Sequence, residues 1–347
     1  MEYFEIKDAD IRHNIEVIRQ KAGRTVWGVL KYNAYGVGLL HMAKLLQECG
    51  ITHFAVSDAA ELRLLRQAGF CSQDVLLLRP QSTKEEMESS LKDNAIFSVG
   101  STAYAEALME LAQREKKTVR AHITLDTGMN RYGFVPEEFD AIRALYRMDG
   151  MKIEGIYSHF SAAALDPKQT EHQLRTYKTV VSRLRSEGID PGMAHISNSA
   201  ALFRDVESEL PAVRVGSALV GRVTGTQREQ TGLIRIGTLV SSICEVKHLP
   251  AGSRLGYGGV FHLRRQTDIA ILPSGTKSGI PDISRKAFIL GHLPTALIHD
   301  RKVHILATNG IAHSFADVTG MDVHPGDIMR MDVNPLQVDS GIERKYL

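Results

Sequence analysis

The chain has 347 residues, 43% hydrophobic and 24% charged, proportions of a water-soluble globular protein with one to three domains and a sizeable core. Its 42 basic and 40 acidic residues leave a formal charge of +2. That balance gives no footprint for nucleic acid or an anionic membrane, and no apolar run approaches the ~20 residues of a membrane span. Cys49, Cys71 and Cys244 lie far apart without a C-x-x-C pair, which argues against a disulfide framework or a zinc cluster. The N-terminal "MEYFEIKDADIRHN" is charged from its second residue, unlike a signal peptide, so a reduced, cytoplasmic setting is expected.

In chain order, the apolar runs "TVWGVL" (25–30), "HFAVS" (53–57), "DVLLLR" (74–79), "AIFSVG" (95–100), "VRAHITLD" (119–126), "KIEGIYSHF" (152–160), "MAHIS" (193–197) and "AVRVG" (212–216) read as strands. Amphipathic helices lie between most of them. In "TEHQLRTYKTVVSRLRSEG", Leu174, Tyr177, Val181 and Leu184 recur at helical spacing. Eight strand–helix units imply a parallel sheet and predict an α/β fold, a (β/α)8 TIM-type barrel. No G-x-G-x-x-G follows the first strand, which weakens a doubly wound dinucleotide-binding alternative. After about residue 225 helical periodicity nearly vanishes. "TGLIRIGTLVSSICEVKHLPAGSRLGYGGVF", "TDIAILPSG", "KAFILGH", "TALIHDRKVHILATN" and "DIMRMDV" read as strands and turns. A barrel over residues 1–225 and a smaller all-β domain over 226–347 are therefore expected.

Chemistry in a parallel barrel sits where strands end. The polar residues there are Lys31, Asp126, Arg131, His159, Asn198, Ser199 and Arg214, a set suited to an anionic small molecule. Lys31 closes an apolar strand, and an amine that loses hydration becomes a nucleophile for Schiff-base chemistry. Taken singly, each residue also has an ordinary reading. Lys31 could reach into solvent, His159 could be a core histidine, and Arg131 and Arg214 could be ion-pair partners. Tyr257 could be one more aromatic on a β surface, beside turn glycines.

Six segments occurring in order change that balance. "VLKYNAYGVG", "LDTGMNRYGF", "GIYSHFSAA", "HISNSAA", "VRVGSALVG" and "LGYGGVF" resemble, over nearly the whole chain, the motifs of the alanine racemase family, which uses pyridoxal 5'-phosphate. The resemblance implies that Lys31 carries the cofactor and that Tyr35, Ser199, Gly216 and Ser217 bind its phosphate. Asn198 lies in the same motif. Arg131 would approach the phenolic oxygen, and Arg214 would face the pyridine nitrogen with His159 holding it. It further implies an amino-acid racemase, a homodimer in which Lys31 and the second base Tyr257, from the partner subunit, work on opposite faces of the substrate. Arg131 and the amide of Ile311 would meet the substrate.

The resemblance is broken in places. Thr276 stands where the family has a gate tyrosine, and Ala312 and His313 replace an aspartate and a glutamine. Ile311 replaces a methionine, Ser340 a phosphate-binding tyrosine, and Thr124 a lysine that many members carbamylate. These changes keep open racemisation of serine or another amino acid, a decarboxylase on the related architecture, or a non-catalytic cofactor-binding protein. The decarboxylase's Gly-rich and acidic-cysteine motifs are missing.

Overall fold

The computed structural model describes residues 1–347 except 208, 227, 260, 283–291 and 307–309. The chain divides into two compact units. One is residues Ile11–Ile234, the other Met1–Asp10 together with Arg235–Leu347. The second unit is thus discontinuous, and the division falls after Ile234 rather than after residue 225. Among the described residues no helix is long and apolar enough to cross a membrane.

The first strand, β1 (Glu2–Ile6), belongs to the second unit. The barrel unit is built on β2 (Thr25–Val29), β3 (His53–Val56), β4 (Asp74–Leu77), β5 (Ile96–Val99), β6 (Val119–Thr124), β7 (Met151–Tyr157), β8 (Met193–His195) and β9 (Ala212–Val215). They form one parallel sheet in the order β8-β7-β6-β5-β4-β3-β2-β9. The Arg214 amide donates to the Ser197 carbonyl at 3.0 Å, across the seam between the segment after β8 and β9. This is the eight-stranded barrel that strand–helix alternation predicts. Its strands are buried on both faces, which explains their continuous apolar runs. Trp27, Ala55, Leu76, Ile96, Tyr157 and Ala212 pack together as part of the barrel core. The helices Ala59–Gln67 and Pro167–Ser186 bury one stripe each, Leu62 with Leu65 and Tyr177 with Val180, Val181 and Leu184.

The second unit is all-β. Its strands are β10 (Thr238–Ser242), β11 (Glu245–Leu249), β12 (Arg254–Leu255), β13 (Phe261–His262), β14 (Thr267–Leu272), β15 (Thr295–Ile298), β16 (Arg301–Leu306), β17 (Ser314–Asp317), β18 (Ile328–Asp332) and β19 (Arg344–Tyr346). With β1 they form a nine-stranded sheet, β11-β14-β17-β16-β15-β18-β10-β1-β19, and β12 pairs with β13. β1 runs antiparallel to β10, with Phe4 opposite Leu239, and parallel to β19, with Phe4 opposite Arg344. The expected strand "KAFILGH", all but His292, and the end of "TALIHDRKVHILATN" fall outside the described residues.

Candidate active site

The backbone leaves β2 in a left-handed turn. Tyr32, Asn33, Ala34 and Tyr35 have φ of 53°, 55°, 51° and 56°. Four successive L-residues in this region cost about 1–2 kcal/mol each. Backbone bonds close the turn: the Ala34 amide donates to Leu30 at 2.7 Å, and that of Gly36 to Tyr32 at 3.1 Å. The Asn33 side chain accepts the Leu39 amide at 2.8 Å, which joins the turn to the following helix. Lys31 and Tyr35 consequently open on the same cavity. The Lys31 ammonium lies 5.9 Å from the centre of the Tyr35 ring.

That cavity, about 340 Å³, is lined by Lys31, Tyr35, Arg131, His159, Asn198, Ser199, Arg214, Gly216 and Ser217. Every barrel residue singled out by the motifs as a cofactor contact meets there, from the ends of β2, β6, β7, β8 and β9. Burial lowers the proton affinity of the Lys31 amine, the positive charge of Arg131 lowers it further, and Glu61 opposes the shift.

On one wall, the Ser199 hydroxyl oxygen accepts the amides of Gly216 at 3.2 Å and Ala218 at 3.3 Å. With two donors already on its oxygen, its own O–H is left to donate elsewhere. A Cβ on Gly216 would lie 2.3 Å from the Tyr35 hydroxyl, so only glycine lets that hydroxyl settle against the chain. Burial pushes the Tyr35 phenol up to about 12, which keeps it a hydrogen-bond donor. Asn198 lies on the same wall and accepts the Ala201 amide at 3.0 Å. Hydroxyls gathered against turn amides suit a phosphate.

Another part of the cavity is set by Arg214, 4% exposed. Its guanidinium donates to the Ser158 carbonyl at 2.6 Å and to His195 Nδ1 at 2.6 Å, and lies 3.3 Å from His159 Nδ1. The Tyr157 ring lies 4.6 Å beneath it. A guanidinium can only donate, so His195 Nδ1 accepts and its Nε2 carries the hydrogen. That hydrogen points to His122 Nδ1 at 3.0 Å. Burial pulls His122 and His159 each down to about 3 and His195 well below its ordinary value, so all three are neutral near pH 7. Burial also pulls Arg214 down to about 10, which leaves it protonated there.

Arg131 is carried by a loop organised around Asp126. One carboxylate oxygen accepts the amides of Gly128 and Met129 at 2.9 Å and Asn130 at 3.0 Å, and the other accepts that of Arg131 at 3.1 Å. Thr124 lines the cavity too, and its buried hydroxyl has no partner among the described residues.

Tyr257 and Ile311 lie in the all-β unit, 74% and 69% exposed. A Cβ on Gly310 would lie 3.1 Å from the Tyr257 ring. The Thr276 amide donates to Gly310 at 3.1 Å and the Lys277 amide to Ile311 at 3.3 Å. The Asp339 amide donates to Lys277 at 2.8 Å. The departures at Thr276 and Ile311 therefore gather beside Tyr257, and Ser340 follows Asp339, which bonds to the same segment.

The barrel cavity's donor set fits pyridoxal 5'-phosphate. Lys31 would hold the aldehyde carbon, and Tyr35 and Ser199 the phosphate on the wall that Gly216 keeps open. Arg214 would meet the ring nitrogen. Two neighbours of Arg214 escaped sequence reasoning. His195 opens the "HISNSAA" segment but sits in a short apolar strand, and His122 sits inside the apolar run of β6, where a histidine reads as core.

The model of the alanine racemase N-terminal domain matches residues 6–223, and that of the alanine racemase C-terminal domain matches residues 236–332. The chain is 33% identical over 284 residues to the alanine racemase of Desulforamulus reducens, covering 80% of this chain and 76% of that one. It is 30% identical over 333 residues to that of Methanococcus maripaludis, covering 94% and 87%. Among solved structures, the alanine racemase of Clostridium difficile 630 superposes with a TM-score of 0.87 at 25% identity, covering 100% of this chain and 95% of that one.

Proposed function

Because the chain belongs to the alanine racemase family, we propose that it interconverts L- and D-alanine with pyridoxal 5'-phosphate carried by Lys31, as a cytoplasmic homodimer in which Tyr257 of the partner subunit completes each cavity. One observation carries this reading. The amine of Lys31 opens on the same cavity as the Tyr35 and Ser199 hydroxyls and the Arg214 guanidinium. The free thiols of Cys49, Cys71 and Cys244 suit a reducing compartment.

Bound pyridoxal phosphate supplies the conjugated ring that makes the Cα–H of an amino acid acidic. Lys31 Nζ, with its proton affinity lowered by burial, takes up or returns that proton on one face. The phenol oxygen of Tyr257 of the partner subunit does so on the other. Arg214 stays protonated near neutral pH and acts as a donor that does not surrender its proton. Such a donor restrains electron withdrawal and with it side reactions such as transamination. The exposed face of Tyr257 beside Ile311 supports a role at a subunit boundary.

The test is borohydride reduction of the holoenzyme with peptide mapping, together with chiral chromatography of alanine and serine reaction products. A label on Lys31 and D-alanine from L-alanine are expected. A label elsewhere, or no D-alanine, rejects the reading, and faster turnover of serine would redirect it to that substrate.

A further inference from the structure

Glu61 lies in the first turn of the helix Ala59–Gln67, outside every motif that marks the site. One carboxylate oxygen accepts the Ser57 amide at 2.8 Å, just beyond β3. The other accepts the Asn33 amide at 3.3 Å, just beyond β2. A single side chain therefore ties together the segments that leave two adjacent barrel strands.

Helix capping alone does not account for this arrangement. Asp58 already caps the helix, accepting the amides of Ala60 at 3.1 Å and Glu61 at 3.2 Å. A glutamate at the third helical position ordinarily reaches back to the capping residue's own amide. Glu61 instead reaches one residue earlier and across to the left-handed turn. That turn begins at Leu30, which offers no side-chain cap. Four residues in a disfavoured conformation persist only where the surroundings over-determine them. A charge-assisted bond from a carboxylate to an amide inside the turn is a strong way to do so.

We propose that Glu61 is a positioning residue for Lys31, fixing through the Asn33 amide the left-handed turn that sets where the amine stands. The proposal rests on Lys31 as the cofactor-bearing lysine. The carboxylate also acts on Lys31 at a distance, since its charge favours the protonated amine.

Wild type, Glu61→Ala and Glu61→Gln are compared in two experiments. In the first, amide hydrogen exchange is followed on cofactor-free protein. In Glu61→Ala, exchange at Asn33 rises at least about tenfold, with a smaller rise in Glu61→Gln, which keeps one acceptor. In the second, steady-state alanine racemisation is measured on holoenzyme. For Glu61→Ala, kcat falls about tenfold or more while KM stays within about twofold, and Glu61→Gln recovers part of the loss. Faster exchange confined to Ser57 and the helix, or unchanged kcat in Glu61→Ala, overturns the proposal. If Glu61→Ala does not fold, wild-type exchange and kcat in Glu61→Gln overturn it. Wild-type holoenzyme reduced with borohydride serves as the control. Failure to label Lys31 there overturns the cofactor reading, whereas the exchange result is read independently of the cofactor.

Discussion

The Tyr35 hydroxyl rests directly on Gly216, at a point where a Cβ would stand 2.3 Å from its oxygen. The two residues come from the loops after β2 and β9, which are neighbours in the barrel. Gly216→Ala should push the phenol off the wall or shift the loop, an overpacking cost of about 1–3 kcal/mol. Weaker binding of pyridoxal phosphate, by about tenfold or more, is the expected outcome of an absorbance titration of cofactor-free protein. Wild-type affinity in that variant would contradict the contact.

Acid should destabilise the barrel through its buried histidines. His122 and His159 are held neutral down to about pH 3 by burial, and His195 is shifted the same way. In the unfolded chain each takes up a proton near pH 6.5. Between those limits the unfolded state binds more protons, so stability is lost as pH falls. The slope is about 1.4 kcal/mol per pH unit for each histidine. Urea midpoints from pH 7.5 to 5 should therefore fall steadily, and more gently in His122→Asn. A flat profile would count against neutral burial.

Mixing two inactive variants tests whether Tyr257 acts across a dimer. Lys31→Ala and Tyr257→Phe should each lose at least about 100-fold in turnover, as expected for removal of a proton-transfer group. Subunits exchanged at random in a two-fold dimer should recover about a quarter of wild-type activity. Half the dimers are mixed, and each mixed dimer has one intact cavity. If Tyr257 served its own subunit, no activity would return.

A stability gain should be available at Lys116. It ends the helix Thr102–Glu115 in the left-handed region, with φ of 52°. Its exposed side chain has little packing to lose. Lys116→Gly relieves the Cβ strain, and a gain of about 1 kcal/mol is expected in denaturant unfolding. A loss would show that the side chain makes a contribution larger than that strain.

Much of the architecture is legible in the sequence because parallel strands covered on both faces must be apolar throughout. All eight barrel runs, from "TVWGVL" to "AVRVG", become strands. β1 escaped because Glu2 and Glu5 make the segment look like a charged tail. Glu5 is in fact 7% exposed and bonded by the Arg330 guanidinium at 3.0 and 3.1 Å. Its partner lies 325 residues away, beyond the reach of local pattern. The cavity was legible where a residue type is unusual for its place, as with Lys31 at the end of an apolar strand. Asp126 is legible as a carboxylate at a strand end but its work on four amides is not, and Glu61 is invisible, because bonds to distant backbone leave no trace in residue spacing.

The position of β1 also constrains the order of events during synthesis. Its partners β10 and β19 are made more than two hundred residues later. The barrel unit leaves the ribosome with its whole ladder in hand, while Phe4 and Ile6 still have nowhere to go. Such long-range closure is slow. The second unit can be finished only when β1 meets β10 and β19 in one sheet. Its assembly is therefore expected to come late, with Phe4 and Ile6 unburied until β10 and β19 are made.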